Sequence, residues 1–372
     1  MSIAVVTTVS RNYLHLANVL MNSVAAHHPE SQRYVLVIDE GPGDSESMAN
    51  AEVLRPEDLI PDPLERTVQQ AMYKPIEYAT AFKPKLLMRA LESADRVIFL
   101  DPDMQVFQPL NAAIDALGMS AGVLLTPHRV TAPAYDDREI FEWVLHAYGA
   151  YNTGFVGVTT AAKPFLDWWD SRLRRDCLID PDRFIWVDQR IIDLAPGFFD
   201  VDLFKDLGYN VGWWNLSERP LRKENDTWYT GPEPLVLMHF SGVRSTNELR
   251  EFPQLIHSPK NPIASDRRHL DYIQELEDQY IRDLQAQGFA RCAKIPYGWN
   301  ETPGGRRLSD SDRRGYRDAV LRAEAAGALP PLPDDIPWGL PVRVTQSVKT
   351  MEFPRGLLRD LRRARKALKV RR

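Results

Sequence analysis

Two carboxylates directly follow a short apolar run and are the first candidates for chemistry in this chain. Residues 97–103 read VIFLDPD, so Asp101 and Asp103 stand one residue apart at the end of a predicted buried strand. Carboxylates at this spacing can both reach one hard divalent cation, which could in turn neutralise a diphosphate. The alternative is a turn in which aspartate is a preferred residue. Three other Asp-x-Asp pairs occur, but only this one leaves an apolar strand at its carboxyl end.

A histidine at the end of another predicted strand is a third candidate ligand. His239 follows the apolar residues 235–238 and precedes Phe240-Ser241-Gly242. A lone histidine is often purely structural, so its residue type alone leaves both interpretations open. Two oxygens and one imidazole nitrogen suit Mn²⁺ better than Mg²⁺, because imidazole favours the softer transition ions. We therefore expect Mn²⁺, or Mg²⁺, as the cofactor.

The elements that must position these residues alternate between strands and helices. Apolar, β-branched runs at 3–9, 34–38 and 97–100 predict strands, and helical spacing of apolar residues predicts helices at 16–24 and 85–91. This alternation predicts an α/β fold with a mixed, mostly parallel sheet and helices on both faces. Ligands of such sheets bind beyond the carboxyl ends of the strands, which is where the aspartate pair lies.

Other segments are less regular or lie behind this core. Residues 56–82 contain several prolines and are expected to be irregular, whereas 187–194 is expected to form a helix closed by Pro196-Gly197. Apolar spacing at 270–284 and 311–326 predicts a helical extension.

Length and composition are those of a globular protein. The 372 residues suit a large catalytic domain over 1–260, a helical extension with a proline-rich linker over 261–342, and a basic amphipathic tail over 343–372. Only two cysteines occur and they form no CxxC pair, which excludes a disulfide scaffold or a zinc ribbon and suits a reducing cytosol. We expect no membrane-spanning segment, because no apolar run is long enough, and no signal peptide at the N-terminus. The expected location is therefore cytoplasmic.

The net charge of −5 conceals an uneven distribution. Residues 355–372 carry nine basic side chains and one aspartate. Leucines and an alanine fall on one helical face there, which is typical of a helix at an anionic membrane surface, as at the inner face of the cell membrane. A solvated terminus, or docking on the acidic remainder of the chain, is the alternative. The acidic remainder disfavours nucleic-acid binding.

Five blocks of sequence, in order along residues 3–245, resemble those of the glycogenin-like, retaining GT-A nucleotide-sugar glycosyltransferases, a family that includes bacterial lipopolysaccharide glycosyltransferases. The blocks are Ala4-Val5-Val6-Thr7-Thr8 with Tyr13, Lys83-Pro84-Lys85 before the Asp-x-Asp strand, Tyr151-Asn152-Thr153-Gly154-Phe155, Asp188-Gln189, and His239-Phe240-Ser241-Gly242. The resemblance implies a GT-A fold and transfer of a hexose from a nucleotide sugar such as a UDP-hexose. The implied acceptor is a saccharide or a lipid-linked saccharide.

The resemblance also implies a role for individual residues. Asp101, Asp103 and His239 would hold the metal against the diphosphate, and Asp188 and Gln189 would be the catalytic pair. The implied donor-binding residues are Thr7, Thr8 and Tyr13 at the base and ribose, Asn152 and Gly154 at the sugar, and Lys85, Pro102 and Gly242 near the phosphates. Ser245 stands where the family usually has a phosphate-binding lysine, so Arg244 is the candidate substitute. Helix-start packing for Tyr13 and a turn cap for Asn152 are the structural alternatives.

An aromatic segment lies between Asp188 and His239. Trp213 and Trp214 belong to a Gly-x-Asn-x-x-x-x-Asn-Leu run similar to one in bacterial relatives, and Trp214 is a candidate for the acceptor side. Packing in the core is the alternative, since tryptophans also dominate cores.

Two other functions remain open. A metal-dependent nucleotidyltransferase or sugar-nucleotide pyrophosphorylase would want a glycine-rich loop after the first strand, and residues 7–10 contain no glycine. A catalytically silent sugar-binding scaffold would not need an intact set of acidic residues.

Overall fold

Fourteen strands are present in the part of the chain that the structure, a computed structural model, describes: residues 1–39, 48–242 and 267–336. They are β1 Ile3–Val9, β2 Gln32–Val37, β3 Glu52–Leu54, β4 Arg96–Leu100, β5 Met104–Val106, β6 Val123–Pro127, β7 Tyr151–Thr159, β8 Ile179–Asp180, β9 Ile185–Trp186, β10 Asp202–Leu203, β11 Leu221–Glu224, β12 Thr227–Thr230, β13 Glu233–Pro234 and β14 Leu237–His239.

Thirteen helices accompany these strands in the same described ranges. They are α1 Leu14–His27, α2 Pro56–Leu59, α3 Pro63–Met72, α4 Pro75–Ala81, α5 Lys83–Ala90, α6 Asn111–Met119, α7 Arg138–Tyr148, α8 Lys163–Asp176, α9 Gln189–Ile192, α10 Ala195–Phe198, α11 Arg267–Ala286, α12 Phe289–Cys292 and α13 Asp310–Ala325. None of them combines the length and the apolar composition that crossing a lipid bilayer requires.

Seven of the strands form one twisted central sheet in the order β10-β6-β7-β4-β1-β2-β3. All neighbours pair in parallel except those of β7, which runs antiparallel to both β4 and β6. Every residue of β1 is buried, as expected for a strand covered on both faces. The predicted α/β class, with a mixed, mostly parallel sheet and C-terminal helices, is confirmed.

Two expectations about local structure are wrong. Residues 56–82 are helical, because each of the helices α2, α3 and α4 begins with a proline, at Pro56, Pro63 and Pro75. Proline fits the first helical position, where its missing N–H has no partner to lose. The helix expected over 187–194 is only the single turn α9, and Pro196 lies inside the next turn, α10, instead of closing the first.

A two-stranded antiparallel sheet beside the central one brings distant parts of the chain together. β5 follows the aspartate pair directly, and it pairs with β14 so that Met104 lies opposite His239. The two strands are therefore the element that carries His239 to the end of β4.

The C-terminal helices pack on the remainder of the described chain. α11 contacts α1 and β11, and its Tyr280 ring stacks on Phe240 with ring centroids 3.9 Å apart. α13 packs on α3, where the buried Arg313 guanidinium donates to the carbonyl oxygens of Gln70 and Tyr73, both at 2.8 Å. A buried cation thus satisfies carbonyls at the C-terminal end of α3.

Replacing Arg313 with methionine tests how strongly α13 is attached. We expect a loss on the order of 3 kcal/mol in the free energy of unfolding, because several buried carbonyls lose their charged donor. Urea denaturation measures the change, and Arg322→Met on the exposed side of α13 is the control, for which little change is expected. Equal losses in the two variants would contradict the assigned role.

Candidate functional site

Asp101, Asp103 and His239 form a compact group at the carboxyl end of β4. One ligand atom from each lies within 4.8 Å of the others, and His239 Nε2 is 3.1 Å from Asp103 Oδ1 and 4.0 Å from Asp101 Oδ2. Two carboxylates and an imidazole at these separations fit a single divalent cation, and the mixed oxygen and nitrogen donors suit Mn²⁺. The residues predicted as ligands from the sequence are therefore brought together.

Backbone hydrogen bonds fix this group to three elements. The Asp101 N–H donates to the Gly154 carbonyl on β7 at 2.8 Å, and the Phe240 N–H donates to the Asp103 carbonyl at 2.9 Å. The β5–β14 pairing supplies the remaining constraint. The ligand group therefore rests on β4, β7 and β14, which are among the most buried parts of the described chain.

Lys83 joins this group to a third carboxylate. Its side chain is almost fully buried, and its Nζ lies 3.1 Å from Asp101 Oδ1, 3.0 Å from Asp188 Oδ2 and 3.0 Å from the Thr153 carbonyl, to which it donates. The contact with Thr153 is a hydrogen bond, and the contacts with the two carboxylates are ion pairs. The ammonium also lies 4.7 Å from the centre of the Phe99 ring. Lys83 therefore links the metal-ligand end of the cleft to Asp188.

Burial and charge oppose each other throughout this cluster. Burial raises the pKa of Asp101 above its usual value, although Lys83 and His239 oppose the rise. At Asp103 burial is the largest influence and acts in the same direction, but the charge and hydrogen bond of His239, a backbone hydrogen bond and the charge of Lys83 together outweigh it, and the pKa is lowered. Burial opposes the charged forms of Lys83 and His239, yet the carboxylates beside them raise the pKa of both. The groups therefore stabilise one another's charged forms.

Lys85, the lysine expected near the donor phosphate, lies on the other side of α5. Its Nζ contacts Asp170 on α8, and it does not line the cleft. The helical period explains the difference, because Lys83 shares a face with the buried Leu86, Leu87 and Ala90. That spacing was visible in the sequence and would have identified Lys83.

The cluster forms the floor of a cleft of about 410 Å³. Trp213 and Trp214 form part of its lining, and the buried Trp214 ring packs edge-on against His239 with centroids 5.1 Å apart. Tyr148 and Trp186 also line it and contact each other edge to face at 4.5 Å. Trp214 is therefore both a packing residue, beside the ligand group, and a residue of the cleft lining.

Asn152 and Gln189 lie in the cleft wall with their amides engaged by the protein. Asn152 Oδ1 accepts from the Gly154 N–H at 2.9 Å, which is the turn-like bond considered from the sequence. Gln189 Nε2 donates to the Tyr148 carbonyl at 2.8 Å. Asp188, by contrast, is buried with a carboxylate oxygen against Lys83. Gln189 therefore hydrogen-bonds to the last residue of α7, whereas Asp188 forms an ion pair with Lys83.

The expected base-binding residues lie on the neighbouring strand. Thr7 and Thr8 are buried in the carboxyl half of β1, which is adjacent to β4 in the central sheet. Tyr13 is 48% exposed in the turn between β1 and α1. None of the three lines the cleft.

Pro102 and Gly242, two of the other predicted residues, lie close to the ligand group along the chain. Pro102 separates the two ligand carboxylates, and Gly242 has a φ of 86°, a conformation that glycine adopts readily. Arg244 and the basic segment 355–372 lie outside the described residues. Sequence reasoning missed five residues of the site and its support: Lys83, His128, Tyr148, Trp186 and Asn210.

Comparison with known proteins gives distant likenesses. No family model matches the sequence. The uncharacterized protein YfnD of Bacillus subtilis (strain 168) is 26% identical over 266 residues, which cover 66% of this chain and 79% of that protein.

Solved structures of similar fold are glycosyltransferases. The galactosyltransferase LgtC, in complex with donor and acceptor sugar analogs, is 15% identical, with 80% of this chain and 98% of that chain covered and a TM-score of 0.43. Mouse xyloside xylosyltransferase 1 is 13% identical, with 64% and 97% covered and a TM-score of 0.37. A glycosyltransferase involved in glycosylation of the major capsid of PBCV-1 is 12% identical, with 66% and 95% covered and a TM-score of 0.38. Such distant likeness assigns no residue of this chain a role.

Gly154→Ala tests the packing under His239. A Cβ at this position would lie 2.6 Å from His239 Cε1 and 2.8 Å from Met104 Cε, so the histidine must move. We expect a loss of about 1–3 kcal/mol, typical of overpacking, measured as a lower melting temperature. Gly197→Ala is the matched control, because a Cβ there meets nothing within 4 Å and should leave the melting temperature unchanged or higher. Similar destabilisation in both variants would contradict the assigned packing.

Lys83→Met tests the charge link, with Lys85→Met as its control. In EDTA, removal of Lys83 should cost about 3–5 kcal/mol of unfolding free energy, because it leaves buried carboxylates without their cation. The Lys85 pair with Asp170 is more exposed, so its loss should cost clearly less. Urea denaturation of the two variants gives the comparison. The assignment fails if the Lys85 variant is the less stable one.

Proposed function

We propose that this chain is a metal-dependent GT-A glycosyltransferase that moves a hexose from a nucleotide sugar, a UDP-hexose, to a saccharide or lipid-linked acceptor with retention of configuration. The observation that carries the proposal is the cleft floor, where Asp101, Asp103 and His239 converge at the strand ends and Lys83 connects them to Asp188. The sequence blocks that resemble the glycogenin-like family support it, because their residues supply most of this floor.

The metal-ligand end suits the diphosphate of the donor. Asp101, Asp103 and His239 would hold Mn²⁺, which when bound offsets the negative charge that develops on the leaving diphosphate. The cluster holds three carboxylates against one lysine and one histidine, so it favours an added cation. Gly242 follows His239 by three residues, and because glycine has no side chain its backbone would be accessible to phosphate oxygens.

Asp188 suits the sugar end. Positive character develops at the anomeric carbon as its bond to the diphosphate oxygen breaks, and a nearby carboxylate stabilises it. Lys83 Nζ lies 3.0 Å from Asp188 Oδ2, pairs with Asp101 as well and donates to the Thr153 carbonyl. Because it pairs with both carboxylates, its proposed task is to orient them.

The aromatic walls suit the acceptor. Tyr148 and Trp186 on one side, and Trp213 with Trp214, present ring faces and edges to the cleft. Sugars stack on such rings through their apolar faces while their hydroxyls hydrogen-bond to the polar groups nearby. The basic segment 355–372 extends the proposal to an acceptor at an anionic membrane surface.

Asp103→Ala tests metal-dependent transfer. Nucleotide release from a panel of UDP-glucose, UDP-galactose and their N-acetyl forms is measured with Mn²⁺, with Mg²⁺ and with EDTA. We expect release with a divalent cation only, and a loss of roughly 10²–10³-fold in the variant, by analogy with loss of one charge-stabilising contact. Asp182→Ala is the control, because Asp182 belongs to another Asp-x-Asp pair and is exposed.

Two results would count against the proposal in different ways. Undiminished turnover of the Asp103 variant would remove the metal assignment. Formation of UTP and sugar 1-phosphate when pyrophosphate is added to the UDP-sugar, in place of UDP release, would favour the nucleotidyltransferase alternative.

A further inference from the structure

A chain of side-chain amides leads from a backbone N–H to the ligand histidine. The Gly154 N–H can only donate, and it donates to Asn152 Oδ1 at 2.9 Å, so the orientation of the Asn152 amide is fixed. The other end of that amide, Nδ2, then donates to His128 Nε2 at 3.2 Å. Burial lowers the pKa of His128 to about 4, so this imidazole is neutral and able to accept.

The orientation of Asn210 follows from that of Asn152. Asn210 Nδ2 donates to Asn152 Oδ1 at 3.1 Å and to Thr126 Oγ1 at 2.7 Å. Asn210 Oδ1 therefore faces the opposite way, 3.1 Å from His239 Nδ1. An amide oxygen only accepts, so Nδ1 of His239 is the nitrogen that carries the hydrogen.

This arrangement determines what the other nitrogen of His239 can do. Because Asn210 holds the hydrogen on Nδ1, Nε2 is the nitrogen that faces Asp103 Oδ1 at 3.1 Å and Asp101 Oδ2 at 4.0 Å. A proton on Nε2 pairs with Asp103 when no metal is bound, and a divalent cation would replace that proton. A hydrogen bond at the far nitrogen makes imidazole a better ligand.

We propose that Asn210 is a positioning residue that fixes the tautomer and ring orientation of His239, so that Nε2 is available as a metal ligand. The inference rests on the proposed function, because it assumes that the cluster binds a metal. Asn210 is buried, 1% exposed, and lies at a φ of 50°, which asparagine tolerates better than most residues. Both its side chain and its backbone conformation thus suit this position.

Asn210→Gly tests the inference without straining the backbone, since glycine accepts the same φ. The readout is the Kd of the donor-free protein for Mn²⁺ by titration calorimetry, not turnover. We expect binding 10- to 100-fold weaker than that of the unaltered chain, the usual effect of losing such a partner. Thr126→Val is the matched control: it removes another partner of Asn210 and should lower the melting temperature, but leave the Kd for Mn²⁺ within about twofold.

Asn210→Asp provides a second variant that does not depend on the first one folding. Aspartate tolerates the same backbone and keeps an oxygen facing Nδ1, but its second oxygen cannot donate to Asn152 Oδ1. We therefore expect a lower melting temperature and a Mn²⁺ affinity clearly above that of the glycine variant. Unchanged affinity in the glycine variant, or affinity in the aspartate variant as weak as expected for glycine, would overturn the role of Asn210 and leave the proposed function standing. An unaltered chain that binds no Mn²⁺ would overturn the metal assignment and this inference together.

Discussion

The ammonium group of Lys83 holds two carboxylates that belong to separate elements, Asp101 at the end of β4 and Asp188 at the start of α9. Without a cation between them, these carboxylates would share a buried cleft at a high electrostatic cost. Because the ammonium also donates to the Thr153 carbonyl, Lys83 is fixed to β7 as well. One side chain therefore sets the separation between Asp188 and the group formed by Asp101, Asp103 and His239.

The topology of the sheet explains why these groups meet. β4 lies at the centre, between the parallel β1 and the antiparallel β7, so the carboxyl end of β4 and the amino end of β7 come to the same edge. The small β5–β14 sheet then returns the chain to the same edge more than a hundred residues later. A site built this way depends on strand pairing over long sequence separations. Two of its charged groups come from helices, Lys83 on α5 and Asp188 at the N-cap of α9.

Sequence patterns predicted the parts of this arrangement that depend on local periodicity. The strand before Asp101 and the strand before His239 were both recognisable as apolar runs, and their ends meet because the strands belong to one layered α/β structure. Lys83 could also have been predicted from the sequence, because it falls on the buried face of α5. The position of Asn210 could not, because this residue lies outside any helix or strand and is held in place by the hydrogen bonds between Val211 and β14. Tertiary pairing of a loop leaves no periodic signal along the chain.

The floor and the walls of the cleft differ in how they are held. The floor consists of buried charged and amide groups, each bonded to several others, so it offers a fixed geometry to whatever binds there. The walls come from α7, from the short β8–β9 sheet and from the turn at Trp213, and large apolar side chains such as Trp143 and Phe184 stand exposed beside them. Loops and short elements on a rigid base can vary without disturbing it. The floor therefore presents a fixed set of charged and amide groups, whereas the walls can differ without altering it.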